Sequence, residues 1–413
     1  MKDAGKLGMI KVFRGMGITR NDQGCSPAVG IDSGITNSAA AVCKEGHVDF
    51  VCNESGGILF PSCVYHFKRR KDYLCGDLAK RRIARHPKDV IHDFLPLVGV
   101  KYSDPVVKHV QESVGFTIVD DGDNNPVISV LTHGDEKQYR PEEVVSILLD
   151  YVRCSIQHYV GYDVTDVVIS VPLWFSSLQR QLIRDAAKAA KLNVIEIVSE
   201  PVVAAYAYTD VLDTSEKERT VLVFNMGGVA FDASLVKIKG IEHTVLEYAC
   251  DLQLGGNDFD RLIRDDLIKK YKEEGYEELN TNAIDRLLKN CEEAKKGLSF
   301  CLVAEVLIDN DDEWIYPLCR NHMNDLISGK IDESIRLCDN AIARAGLTVN
   351  DIDEIVLAGG SSQLLIVKEK LRNHFPQLEI KDSVNPHVCI ATGAACYAHA
   401  LSTGKYFVTP SHP

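Results

Sequence analysis

Short apolar runs bounded by glycine turns mark the strands of this chain. Ala28-Val29-Gly30-Ile31-Asp32 is the first such run. The turn Ser33 to Ser38 follows it, and Ala39 to Val42 reads as the return strand of a hairpin. The pattern recurs far downstream: Val221 to Phe224 is a strand, Asn225 to Ala230 a turn, and Phe231 to Val236 the return strand. Asp32 and Asn225 hold equivalent places, so the spacing predicts two related halves. Between the hairpins, Asp166 to Val171 reads as a buried strand ending at Pro172, and Ser176 to Leu192 as an amphipathic helix capped by Ser176. Asn193 to Ser199 is again a strand, and Pro201 begins another helix. Strand, helix, strand in that order predicts parallel strands joined by a crossover. The segment Asn257 to Ser299 is charged and helical in pattern. Ile355 to Leu357 is a short strand entering a glycine turn, and an Ala-rich helix runs from about Ala391 to Leu401.

Length and composition fit a folded globular protein of two to three domains: 413 residues, 45% hydrophobic and 25% charged. The formal charge of −13 disfavours nonspecific nucleic-acid binding, because the phosphate backbone would repel it. It does not disfavour a nucleotide, which local amides and lysines can hold. No apolar stretch approaches 18 residues, so no membrane partner is expected. The first 25 residues lack an apolar leader centre and read as a disordered extension, with organelle targeting as the alternative. The 13 cysteines are scattered without C-x-x-C or zinc spacing, which predicts reduced thiols in a cytoplasmic protein.

Glycine turns after strands bring backbone N–H groups close to a phosphate. Three occur here: Ser33 to Ser38, Gly227-Gly228 and Gly359-Gly360-Ser361. None fits the Walker phosphate loop, and none opens a helix as a dinucleotide fingerprint does.

With these turns stand Val29-Gly30-Ile31-Asp32-Ser33-Gly34-Ile35-Thr36-Asn37-Ser38, Gly76-Asp77-Leu78-Ala79-Lys80, Val171-Pro172-Leu173-Trp174-Phe175 and Gln179-Arg180-Gln181. Ser199-Glu200-Pro201, Leu254-Gly255-Gly256-Asn257-Asp258-Phe259-Asp260 and Leu357-Ala358-Gly359-Gly360-Ser361-Ser362 complete the series. Over roughly Ser26 to Gly404, the chain resembles the nucleotide-binding domain of the 70-kDa heat-shock chaperones, within the actin and sugar-kinase-like superfamily. The resemblance implies an α/β, actin-like ATPase fold: two duplicated lobes, each with a large and a small subdomain, around a nucleotide cleft. The implied divisions are lobe I at 26–213, with a small subdomain about 58–139, and lobe II at 214–404, with one about 254–330. The polar stretch Asp210 to Thr220 separates the halves, and 405–413 is a tail.

The resemblance also implies ATP or ADP with Mg²⁺ as ligands, and roles in protein folding and the stress response. Asp32 and, through water, Asp232 match metal-shell carboxylates. Lys80 matches the lysine near the γ-phosphate, and Glu200 the carboxylate that orients water. Gly34, Ile35, Thr36, Gly227, Gly228, Gly255 and Gly256 match the phosphate side. Glu292, Lys295, Lys296, Ser299, Gly359, Gly360, Ser361 and Gln363 match the adenosine side.

The chain departs from the family's pattern at several of these places. The second loop normally reads Asp-Leu-Gly-Gly-Gly-Thr and here reads Asn225-Met226-Gly227-Gly228-Val229-Ala230. Asn225 is no anionic partner for water, and losing such a group costs on the order of 10² to 10⁴ in rate. Val229 is strained if its position needs φ > 0. Ala230 and Ile35 remove hydroxyls. Lys296 and Gln363 stand where two guanidinium planes clamp the ring, and His387 stands where Asp is usual. Glu196 and Ser199 replace the Arg and Asn that meet a J-domain co-chaperone, and the reversed charge should repel it. Three readings follow: a chaperone domain that binds ATP with weak or absent hydrolysis, a fully active chaperone ATPase, and a nucleotide-free scaffold. Chaperone or nucleotide-exchange partners go with the first two.

Overall fold

The computed structural model describes residues 28–44, 46–66, 73–132, 135–208, 218–240, 242–309 and 313–403. The expected extension 1–25, the tail 405–413 and most of the polar stretch 210–220 lie outside the described residues.

Two sheets carry the same topology. In the first, strand Ala28–Asp32 is central, parallel to Asp166–Val171 on one side and antiparallel to Asn37–Lys44 on the other. Asn193–Ser199 and His47–Phe50 extend the two flanks. In the second, Glu218–Met226 is central, parallel to Glu354–Ala358 and antiparallel to Phe231–Lys239, with Glu379–Lys381 and Glu242–Asp251 outermost. Asp32 lies opposite Ala39 and Ser170, and Asn225 lies opposite Asp232 and Ala358, so the equivalence of Asp32 and Asn225 holds in the register. Central strands buried on both faces explain the unbroken apolar runs in the sequence.

Several elements run longer than their apolar runs suggest. The return strand spans Asn37–Lys44 rather than 39–42, and the second hairpin's first strand continues through Asn225 to Met226. The ladder holds these polar positions extended, because pairing satisfies their backbone groups. The helix after Pro172 spans Ser177–Ala189, and Ser176 forms a capping box with Gln179. It stops before Lys191, which sits at φ +64. The charged stretch 257–299 is two helices, Gly256–Glu273 and Thr281–Gly297, because Gly275 at φ +91 ends the first and Asn280 caps the second.

Three cores hold these elements. One lies under the first sheet around Ile31, Val167 and Ile183, and another under the second around Phe224, Leu267 and Ile355. The third, between the sheets, is built on the closing helix Cys389–Ser402. That helix crosses strand Ala28–Asp32 so closely that a Cβ on Gly30 would stand 2.2 Å from the Ala395 nitrogen. On its other side a Cβ on Gly393 would stand 1.7 Å from the Val203 carbonyl of helix Glu200–Tyr206. Alanine-rich and glycine-containing sequence is what permits backbones to approach this closely.

Candidate functional site

Both hairpin turns face the same gap. A Cβ on Gly228 would stand 2.5 Å from Thr36 Oγ1, so the first turn touches the second. The third turn joins them: Ser361 Oγ donates to the Gly227 carbonyl at 2.8 Å, and Gly359, at φ +77, backs onto the Met226 carbonyl. Gly256 N–H and Asn257 N–H donate to the carbonyls of Gly227 and Gly228 at 3.0 and 2.7 Å. Added Cβ atoms at Gly255 and Gly256 would meet Gly228 and Ser361 at 2.5 and 2.4 Å, which accounts for glycine at both.

Beneath the turns lies a buried polar cluster. Asp32, Glu200, Asn225 and Asp232 are each 8% exposed. Asn225 Nδ2 donates to Glu200 Oε2 at 2.9 Å and to Asp232 Oδ2 at 2.8 Å. Ser170 Oγ donates to Asp32 Oδ1 at 3.4 Å and Ser234 Oγ to Asp232 Oδ1 at 3.0 Å. Burial pushes the Asp32 carboxyl up to about 7 and Asp232 to about 6, against the hydrogen bonds from Ser170, Ser234 and Asn225. Burial also raises Glu200 well above the usual carboxylate range, with Asp32 and Asp232 adding to it. Among the described residues, no lysine or arginine is hydrogen-bonded to these three carboxylates. Among the described residues no group of three or more His, Cys, Asp or Glu is placed to hold a metal ion directly, so the buried carboxyls, which lack a cationic partner, fit a divalent cation only through its bound waters.

Other expected site residues gather elsewhere in the gap. Lys80 ends the short helix Gly76–Lys80, and its Nζ lies 2.9 Å from Glu292 Oε1 on helix Thr281–Gly297. The structure places it against that carboxylate rather than against Asp32, Glu200 or Asp232. Burial would raise Glu292, but Lys80 and Lys296 outweigh it and hold the carboxyl at about 2. Lys296 Nζ also donates to Glu292 Oε1, at 2.6 Å. Lys295 is buried, with Nζ 2.6 Å from the Gly256 carbonyl and 2.8 Å from the Asp260 carboxylate. Gln363 donates to Asn385 Oδ1, and His387 stacks its ring against Gly360, where burial and then Lys296 lower its pKa. Ser299 follows the end of the Lys295 helix and is half-buried. Ile35 packs against the first core.

One expectation changes. Val229 is not strained: among the described residues the only non-glycine positive-φ positions are Asp93, Asn124 and Lys191. The turn closes through Gly227 N–H to the Ala230 carbonyl at 2.9 Å without a positive φ at Val229. Ser199 and Glu196 both engage the chain itself. Arg180 Nη2 donates to Ser199 Oγ at 3.0 Å, and Glu196 lies close enough to support the Arg180 charge against its burial.

Sequence reasoning missed two features. Leu95 and Phe94 form an apolar wall beside Ser33 and Gly34 in a small recess. Nothing in the local sequence marks that approach. Asp93, at φ +49, accepts from Thr36 Oγ1 at 3.1 Å and from Asn257 Nδ2 at 3.2 Å, tying the first turn to the loop after Leu254. Burial opposes its charge, yet the His92 and Thr36 hydrogen bonds keep its carboxyl below the usual range. Its signal is a short polar residue two positions after a strand, Val90–Ile91, in a backbone region that Asp tolerates.

No helix among the described residues is long and apolar enough to cross a membrane. A family model described as Hsp70 protein matches residues 28–408. The chain is 34% identical over 383 residues to a heat shock 70 kDa protein of Neurospora crassa, covering 91% of this chain and 58% of that protein. It is 34% identical over 385 residues to heat shock cognate 70 kDa protein 3 of Dictyostelium discoideum, covering 92% and 61%. Against a ribosome-associated molecular chaperone of Zygosaccharomyces rouxii it is 33% identical over 383 residues, covering 92% and 62%. The chain thus spans about three-fifths of the length of the curated relatives it matches.

Proposed function

The chain belongs to the Hsp70 family and has the actin-like fold of its nucleotide-binding domain, and from that premise we propose that it binds ATP and ADP with Mg²⁺ and hydrolyses ATP weakly or not at all. The lobes implied at 26–213 and 214–404 are part of this proposal, supported by the separate cores under the two sheets.

One observation carries it: the Asn225 amide, donating to Glu200 and Asp232 together, stands at the centre of the carboxylate cluster. Bound Mg²⁺ would supply charge neutralisation at the phosphates, held through water by Asp32, Asp232 and Glu200. The side chain at 225 cannot take up a proton there as a carboxylate would. Its two donated bonds also occupy one oxygen of Glu200 and one of Asp232, leaving fewer lone pairs to orient a nucleophilic water. Leu95 presents hydrocarbon beside Ser33 and Gly34, and Lys80 is spent on Glu292, so neither delivers positive charge to the cluster. Charge stabilisation of the transition state is the main source of rate in phosphoryl transfer, and it is depleted here. Backbone N–H groups in three glycine turns remain to hold phosphates in the ground state.

A second reading has support from Glu200. A carboxyl raised well above its ordinary value is suited to accept a proton near neutral pH, as an active ATPase requires. Calorimetric titration with Mg-ADP and Mg-ATP, followed by single-turnover hydrolysis, separates the readings. We expect binding, with turnover that rises about 100-fold in Asn225→Asp. Fast turnover in the wild type, unchanged by that substitution, establishes the second reading. No binding at all leaves the scaffold reading.

The relatives' length makes the chaperone activity of the whole protein part of this proposal, along with nucleotide-exchange partners and a place in the cytoplasm. The name of the Zygosaccharomyces rouxii relative supports ribosome association as one setting for it. The J-domain contact at Glu196 and Ser199 is weakened in this reading, since both positions are turned to Arg180.

A further inference from the structure

Strand Val303–Asp309 pairs antiparallel with Glu313–Cys319 in a sheet of two strands, with Val303 opposite Cys319 and Asp309 opposite Glu313. One face of this hairpin belongs to the second core: Val306, Ile308 and Leu318 are fully buried there, and Trp314 nearly so. Alternation along the strands sends Val303, Glu305, Leu307, Ile315, Pro317 and Cys319 to the other face. Only one of those six is charged. Val303 is 51% exposed and Ile315 55%. The chain leading into the hairpin adds Phe300 at 91% and Leu302 at 70%. Together these four side chains leave about 400 Å² of apolar surface bare, a patch of the size that marks interaction sites.

The two ends of the hairpin differ in charge. Arg320 follows Cys319 directly, and its guanidinium donates to the carbonyls of Leu298 and Cys301 at 2.6 and 2.7 Å. Among the described residues it forms no ion pair with a carboxylate. The opposite end is acidic by sequence, Asp309-Asn310-Asp311-Asp312-Glu313.

We propose that this face is where two copies of the chain pair, about a twofold axis across the middle of the hairpin. The axis reverses one hairpin on the other. The Arg320 end of each copy then meets the acidic end of its partner, and the two apolar faces stack as the layers of a sandwich. A twofold contact requires a surface that complements itself, and a face that is apolar in the middle with opposite charges at its ends does so. The bare area of about 400 Å² suits the apolar centre of an interface that takes roughly 800 Å² from each partner, the standard size for a stable complex. Glu305 opposes the contact, because pairing takes its charge out of water.

Sedimentation equilibrium of the chain between about 1 and 100 μM tests this, with dimers expected at a dissociation constant of about 10 μM. The double variant Phe300→Ser, Ile315→Ser should weaken the dimer by about 30-fold or more while the circular dichroism spectrum stays unchanged, since both side chains are exposed. Glu305→Leu leaves the buried face intact and should tighten the dimer by about threefold or more. A wild type that stays monomeric at about 100 μM overturns the proposal and leaves the face to a different partner. So does a dimer that survives the double variant, or one that Glu305→Leu weakens.

Discussion

The Lys80 ammonium lies 2.9 Å from the Glu292 carboxylate, joining two residues 212 positions apart on opposite sides of the gap. Burial works against the charge on Lys80, and Glu292 more than compensates. Lys296 reaches the same oxygen, so the bridge is a small network rather than an isolated pair.

This bridge should slow nucleotide release. A partly exposed pair of this kind is worth about 1 kcal/mol, or about fivefold in a rate. Lys80→Ala is expected to speed release of a fluorescent ADP by about that factor in stopped flow. A shared catalytic role for Lys80 would show as lost turnover at unchanged release.

The carboxylate cluster predicts a dependence of stability on pH. Asp32 at about 7 and Asp232 at about 6 lie above their unfolded values, and Glu200 is raised too. Groups raised on folding add stability that is full below the unfolded value near 4 and is lost as pH climbs through 6 to 7. The thermal midpoint should therefore fall between pH 5 and pH 8. Added Mg²⁺ should restore it at pH 8, and Asp32→Asn should flatten the slope. His387, whose pKa is lowered, acts in the opposite sense, so comparison with Asp32→Asn isolates the cluster. Scanning calorimetry across that range checks all three outcomes.

Lys295 and Asp260 form a buried pair beneath the proposed ribose side, with side chains 7% and 5% exposed. Lys295→Met should cost about 3 kcal/mol, because it strands the Asp260 carboxylate in the interior. The double variant Lys295→Met with Asp260→Leu should recover much of that loss. Urea unfolding of the three proteins, read against the wild type, measures both effects.

The two hairpins were legible because glycine and apolar runs mark places where strands are covered on both faces and turns touch. Gly228 and Gly255 illustrate this: each sits where a Cβ would collide with another loop. Asn225 was legible as a departure, though not that its amide would hold both Glu200 and Asp232. Partnerships across the gap were not legible. Lys80 and Glu292 meet only once the small elements that carry them are folded over the sheets, and each reads locally as a surface charge. Leu95 is an ordinary core residue by its neighbours, and only the tertiary structure sets it beside Gly34. The strain expected at Val229 failed for a related reason, since the path of a turn depends on what closes it.

The closing helix has a consequence for synthesis. Strand Ala28–Asp32 emerges from the ribosome long before the helix that covers it, Cys389–Ser402. At roughly 5 to 20 residues per second, the strand waits for tens of seconds with one apolar face uncovered. Until the helix arrives, that face has only the nascent chain's own earlier segments to cover it.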